Sequence, residues 1–187
     1  MRKFITRRGV LAGGVSLLAA PAIAQETGEQ QEFTRRNMSG FKKFKWQDHF
    51  DSLGKGAIVA DTNSRALHFW SGDGETYRLY PTSVPRSPEL TRLGYTRITK
   101  KVEGPTWTPT PSMRERDPSL PAVVPAGPDN PMGTHAMHLS WQYYRIHGTH
   151  DTRKIGRRSS DGCIGLYNEM VAELFEMVQV GTQVRLI

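Results

Sequence analysis

The sequence predicts a mainly β domain with one or two helices and long loops. Three observations carry this. Short apolar runs alternate with turn-forming residues between Gly54 and Tyr80, prolines recur too densely between Pro81 and Pro131 for central strands or helix interiors, and one amphipathic helix near the C-terminus precedes an alternating strand. The 187-residue length fits one ordinary domain with short appendages. With 37% hydrophobic and 23% charged residues the chain can bury a core, which excludes a disordered chain and a polytopic membrane protein.

Arg2, Lys3, Arg7 and Arg8 form a basic head, and the uncharged stretch Gly9 to Ala24 ends in Ala22-Ile23-Ala24. A basic head, an apolar middle and a small-x-small end describe a secretory signal peptide. The segment Thr6-Arg7-Arg8-Gly9-Val10-Leu11 resembles a twin-arginine signal, the class that exports folded proteins. Gly13, Gly14 and Pro21 interrupt the apolar run, which falls short of the roughly 18–20 residues that span a bilayer. An uncleaved amphipathic anchor is the alternative. Cleavage after Ala24 removes four cations and no acidic residue, lowering the net charge from +7 to +3. The expected location is the periplasm, with no membrane span after cleavage.

Residues 25–53 read as a tether and arm. Gln25 to Asn37 is polar and lacks apolar periodicity. Phe41-Lys42-Lys43-Phe44-Lys45-Trp46 interleaves cations with aromatics, a pattern that can bind single-stranded nucleic acid. An arm that packs its rings on the domain and leaves its lysines in water accounts for the same residues. An exported protein meets no nucleic acid, so none is expected as a partner.

Residues 54–187 form the expected domain. Ala57–Ala60, Ala66–Trp70 and Thr76–Tyr80 read as three strands of a meander, joined by Asp61-Thr62-Asn63-Ser64 and Ser71-Gly72-Asp73-Gly74. The proline-rich region that follows reads as loops, interrupted by a short strand near Thr96–Lys100, and long ordered loops of this kind often carry function. Asn168 is an expected N-cap, with Val171, Leu174, Phe175 and Val178 at i, i+3, i+4 and i+7. Gly181 lies beyond this helix, and Thr182–Ile187 alternates as a last strand.

The chemistry concentrates between Gly133 and Asn168. His135, His138, His147 and His150 form two His-x-x-His pairs, but they lie in strand or loop sequence, where residues three apart point to opposite faces. No metal site is assigned. Cys163 is the only cysteine, which excludes an internal disulfide. A lone thiol in an exported protein is exposed to oxidation. One reading is a buried structural thiol. The other follows from Ser159-Ser160-Asp161-Gly162 before it, small polar residues that form an accessible turn whose amides can face a reacting carbonyl oxygen. His147 ends a strand-like run sixteen residues upstream. Thiol catalysis needs such an imidazole, itself held by a third group, because a free thiol with a pKa of about 8.5 is only a few per cent ionised at neutral pH.

The run Ile146-His147-Gly148-Thr149, then Ile155-Gly156, then Ser160-Asp161-Gly162-Cys163-Ile164 resembles the signature of the L,D-transpeptidases, the YkuD-type catalytic domain of bacterial cell-wall enzymes. Asn130-Pro131-Met132-Gly133, Trp107-Thr108-Pro109-Thr110 and Gly181-Thr182-Gln183-Val184 add to the match. The resemblance implies a YkuD-like β-sandwich of mixed sheets with long loops over the active-site cleft, and a reaction that needs no cofactor. It implies Cys163 as nucleophile, His147 as base and later acid, the Gly148 carbonyl as orienter of the imidazole, the amides near Gly162 and Cys163 as oxyanion donors, and Ser160 as a hydrogen-bonding residue of the cleft. Asp161, Arg153, Arg157, Arg158, Thr149 and Asn168 are the candidates for substrate contact.

Two positions depart from the family pattern. Asp161 stands where many members have His, and Gly165 where many have Arg. A carboxylate near the sulfur raises the thiol pKa unless it faces solvent or a cation, and loss of the arginine removes a planar donor fork. The expected partner is the carboxylate-bearing peptidoglycan stem peptide, toward which Lys42, Lys43, Lys45, Arg114, Arg116, Arg145, Arg153, Arg157 and Arg158 could steer. The expectation is thus a monomeric, periplasmic peptidoglycan L,D-transpeptidase. A hydrolase that resolves the thioester with water, as a carboxypeptidase or amidase, and a noncatalytic wall-binding protein remain the alternatives.

Overall fold

The computed structural model describes residues 41–187, so the expected signal, residues 1–24, and residues 25–40 of the tether lie outside the described residues. The meander forms as β1 (Ala57–Asp61), β2 (Ala66–Trp70) and β3 (Tyr77–Pro81). Asp61 makes the first turn, its carboxylate accepting from the Asn63 N–H at 2.8 Å and the Ser64 hydroxyl at 2.6 Å. The remaining strands and α-helices are β4 (Val84–Pro85), β5 (Gly94–Glu103), α1 (Pro111–Arg116), β6 (His135–Leu139), β7 (Arg145–His147), β8 (Arg158–Ser160), β9 (Ile164–Gly165), α2 (Asn168–Met177) and β10 (Gln183–Leu186).

Eight strands make one mixed sheet in the order β3-β2-β1-β10-β5-β6-β7-β9, and β4 pairs with β8 in a separate two-stranded ladder. The pairings β1–β10, β7–β9 and β4–β8 are parallel. The sheet divides the core into two layers. Ile58, Leu67, Phe69, Ile98, Met137, Ile146, Ile164 and Val184 turn one way and meet Val171, Leu174 and Val178 of the α2 segment. Ala57, Val59 and Trp70 turn the other way and meet Phe50 and Leu53, with Phe44 and Trp46 partly buried beside them. That second layer explains why β1 and β2 are buried at every position. Residues 41–53 cover the face that a one-sided sheet would leave in water, while Lys42, Lys43 and Lys45 stay exposed.

Three elements differ from expectation. β5 spans ten residues, twice the expected strand, because its outward positions are Tyr, Arg, Thr and Lys and only Ile98 is fully buried, so the apolar alternation is faint. Inside the proline-rich region α1 forms with its single proline, Pro111, at the start, where the missing N–H costs nothing, and with the Thr110 hydroxyl accepting from the Met113 N–H. Asn168 is the first helical residue and not the cap; Tyr167 holds the cap position without a side-chain bond, because the Asn168 amide is used elsewhere.

His68 lies on the β2 face under the arm, its Nδ1 2.9 Å from the Tyr77 hydroxyl and its ring 4.5 Å from that of Phe44. Burial drives its pKa down to about 4. The folded state therefore holds His68 neutral while the unfolded chain protonates it near 6.5. Stability is complete above pH 6.5 and is lost progressively as pH falls toward 4. His68→Phe is expected to flatten the fall in urea midpoint across this window, and an unchanged slope would remove His68 as a cause.

Candidate active site

The parallel pairing of β7 with β9 brings the two signature segments together, with Ile146 beside Ile164 and His147 beside Gly165. Ile146 and Ile164 enter the core, so the flanking residues Arg145, His147 and Cys163 project from the opposite face. All three line one open cleft of about 150 Å³, together with Trp107, Met113, Met132 and Tyr143.

His147 Nδ1 donates to the Gly148 carbonyl at 2.5 Å. A carbonyl can only accept, so the neutral ring carries its proton on Nδ1 and its lone pair on Nε2. Burial pulls the imidazole pKa down to about 4, and the Arg145 charge adds to that shift. The Gly148 peptide is itself fixed. Asn168 Oδ1 accepts from the Thr149 and Thr134 N–H groups, each at 3.2 Å, and so ties the histidine loop to the strand entering β6. Gly133 and Gly148 make room for this junction, since a Cβ at either would strike the Asn168 oxygen.

Cys163 ends a turn closed by Ser160, whose hydroxyl donates to the Cys163 carbonyl at 2.5 Å and accepts a longer bond from the Gly162 N–H at 3.4 Å. The half-buried thiol donates to the Tyr143 carbonyl at 3.4 Å. Tyr143 holds φ 66, a left-handed conformation disfavoured for a non-glycine residue. Burial pushes the thiol pKa up, Arg145 opposes this most strongly, and Asp161 contributes the smallest of the named effects. Two guanidinium groups answer that carboxylate, Arg86 at 2.5 Å and Arg116 at 2.6 Å. At Gly165 the space that a side chain would need is taken by the Ser83 hydroxyl, which accounts for the absence of a larger residue there.

The cleft wall is the proline-rich loop. Trp107 and Val124 pair through reciprocal backbone bonds of 2.9 and 2.8 Å, closing the segment that contains α1. Buried Asn130 staples its base, donating to the carbonyls of Pro105, Val124 and Pro125 and accepting from the Met132 N–H at 2.8 Å. Arg116, the last residue of α1, joins the loop to the cysteine turn through Asp161.

The family profile of the YkuD L,D-transpeptidase catalytic domain matches residues 55–186. The chain belongs to this family. A Fuscovulum blasticum protein named as an L,D-transpeptidase of the ATP synthase subunits region is 57% identical over 192 residues and is covered in full, as is this chain. The Escherichia coli protein named as the L,D-transpeptidase ErfK/SrfK is 42% identical over 142 residues, which cover 73% of this chain and 45% of that longer relative. A solved L,D-transpeptidase in complex with imipenem shares the fold, with a TM-score of 0.54 at 20% identity over 71% of this chain and 59% of its own. The mainly β architecture expected from sequence is thus the YkuD fold, and the family is one of acyltransferases.

Within this fold the expected residues separate into two groups. Cys163, His147, Thr149, Ser160 and Asp161 line the cleft, and Gly148 and Gly162 lie next to them in the chain. Arg153, Arg157 and Arg158 do not line it. Arg153 pairs with Asp151 with 85% of its side chain exposed, Arg158 reaches Asn63, and Arg157 is exposed. Lys154 is the cation of that loop that faces the cleft. Asn168 is not at the wall either; its oxygen serves two backbone N–H groups and positions the histidine loop. The sequence reading named Arg145 only as a steering cation and gave no role to Asn130, Met113 or Tyr143. The matching runs at Trp107 and Asn130, with the length of the proline-rich loop, are the sequence signals that the loop belongs to the site.

Asn168→Ala leaves two backbone N–H groups without their acceptor, a loss of about 1–3 kcal/mol. A lower thermal midpoint and slower turnover are expected, with both largely restored in Asn168→Asp, which keeps the acceptor oxygen. Wild-type values in the alanine variant would dismiss the positioning role.

Proposed function

We propose that the protein is a periplasmic peptidoglycan L,D-transpeptidase with Cys163 as nucleophile and His147 as base and acid. The observation that carries this reading is the His147 Nδ1–H bond to the Gly148 carbonyl, which leaves the Nε2 lone pair free in the cleft that holds the only cysteine of the chain. A neutral imidazole is the form that can take a proton from a thiol.

The reaction runs in two halves. Sγ gives its proton to His147 Nε2 while it attacks the carbonyl of the L-centre of the third stem residue, probed first as diaminopimelate. Backbone N–H groups of the turn at Gly162 and Cys163 are the donors to the oxyanion. Collapse breaks the bond to the terminal D-alanine, whose amine takes the proton from His147, and leaves a thioester on Cys163. An amine of a second stem then attacks the thioester, His147 removes its proton, and the sulfur leaves with that proton as a new amide crosslink forms. The guanidinium pairs on Asp161 weaken the main objection that the sequence raised, because the paired carboxylate is the smallest of the influences on the thiol pKa.

Incubation of the purified protein with disaccharide-tetrapeptides, read by mass spectrometry, tests this. Crosslinked dimers that have lost D-alanine are expected with wild type, and none with Cys163→Ala. Tripeptides without dimers would identify a hydrolase, and an unchanged substrate would overturn both readings in favour of a noncatalytic wall protein.

A further inference from the structure

Arg145 is the least expected member of the cleft. Register on the parallel β7–β9 pair sets it directly beside Cys163, one residue before the pair of Ile146 with Ile164. Its side chain shares the cleft with the sulfur and with His147. Among the described residues no carboxylate pairs with it, although Arg78, Arg86, Arg116 and Arg153 each have one. Its Nε is buried without a hydrogen-bond partner, and Nη1 makes only a long 3.4 Å bond to the Tyr143 carbonyl, the same oxygen that accepts from the thiol. The guanidinium is partly buried, and its Nε, shut off from water, has no acceptor in the fold.

We infer that Arg145 is a catalytic residue of this chain, the fixed cation whose guanidinium stabilises the Cys163 sulfur as it ionises to the thiolate. When the S–H bond breaks, the proton passes to His147 Nε2 and the electron pair stays on the sulfur facing Arg145. The Tyr143 carbonyl, which accepts from the thiol, cannot accept from the thiolate, so ionisation frees it for the guanidinium. The direction of the electrostatics agrees: Arg145 is the largest influence lowering the thiol pKa, against burial, and it also disfavours a charged His147. The imidazole is neutral until it takes the thiol proton, so Arg145 is a cation already in the cleft when the sulfur begins to ionise.

Other charged groups near the sulfur do not substitute. Asp161 is neutralised by Arg86 and Arg116, and these two guanidinium groups are held on it. Lys154 lines the cleft but is not among the groups that shift the thiol. His138, opposite Arg145 across β6, is kept neutral by burial and by the charges of Arg145 and Lys100. Position 165, paired with His147 on the ladder, is Gly165 and brings no side-chain charge.

This inference rests on Cys163 being the nucleophile, and its test reads the sulfur without using the stem peptide. The rate of iodoacetamide alkylation of Cys163 is followed from pH 6 to 10 in the wild type, Arg145→Met, Arg145→Gln and Arg145→Lys, with thermal melts to establish folding. In Met and Gln the reactivity profile is expected to move up by about one pH unit, a roughly tenfold slower reaction at pH 7.5. Lysine, which restores the charge, is expected to recover most of it. An unmoved profile in a folded Met or Gln variant would overturn the assignment, as would a Lys variant that behaves like Met. Failure of the tetrapeptide assay with this alkylation pattern intact would count against the proposed substrate and leave the role of Arg145 standing.

Discussion

Two residue pairs of parallel β ladder carry the site. The pairing of Ile146 with Ile164 and of His147 with Gly165 joins segments that the chain separates by a loop containing three arginines. Because both isoleucines are fully buried, a slip of one residue would turn them into solvent and drive the reactive side chains into the core. Register at the site is therefore enforced by hydrophobic burial. The sulfur, the imidazole and the guanidinium need no attraction for one another to stay together.

The rest of the fold holds that ladder and shapes the space in front of it. α2 covers the buried face, and its first residue, Asn168, reaches back to the histidine loop, so the element that completes the core also fixes the carbonyl that sets the imidazole tautomer. On the open side Asn130 closes the base of the proline-rich loop on itself, and the Arg116–Asp161 pair ties the loop to the cysteine turn. The two attachments differ in kind. Asn130 is wholly buried and its bonds have no competition from water, whereas Arg116 is about half exposed and its ion pair is correspondingly weak. The loop is thus anchored at its base and lightly held at its tip.

What could be read from the sequence follows the range of the interactions. The meander, the C-terminal helix and the final strand have local patterns, and the spacing of His147 and Cys163 within a dense signature pointed to their pairing. The ends of β5 were not legible because Arg97, Lys100 and Lys101 interrupt its apolar alternation. Asp161 looked like a handicap to the thiol because its partners are 75 and 45 residues away. Arg153, Arg157 and Arg158 looked well placed because the loop joins the proposed base to the proposed nucleophile, but position in the chain says nothing about which way a loop side chain points. By residue type Asn168 suits a local cap, but a long-range pair of backbone N–H groups claims its oxygen instead.

The proposed reaction requires a thioester at Cys163. Intact-mass and peptide-level spectrometry of the protein, quenched in acid during incubation with tetrapeptide stems, measures it directly. The expected result is an adduct equal to the stem less D-alanine, confined to the peptide that contains Cys163 and absent from Cys163→Ala. Turnover of the stem by a folded Cys163→Ala variant, or an adduct on any other residue, would contradict it.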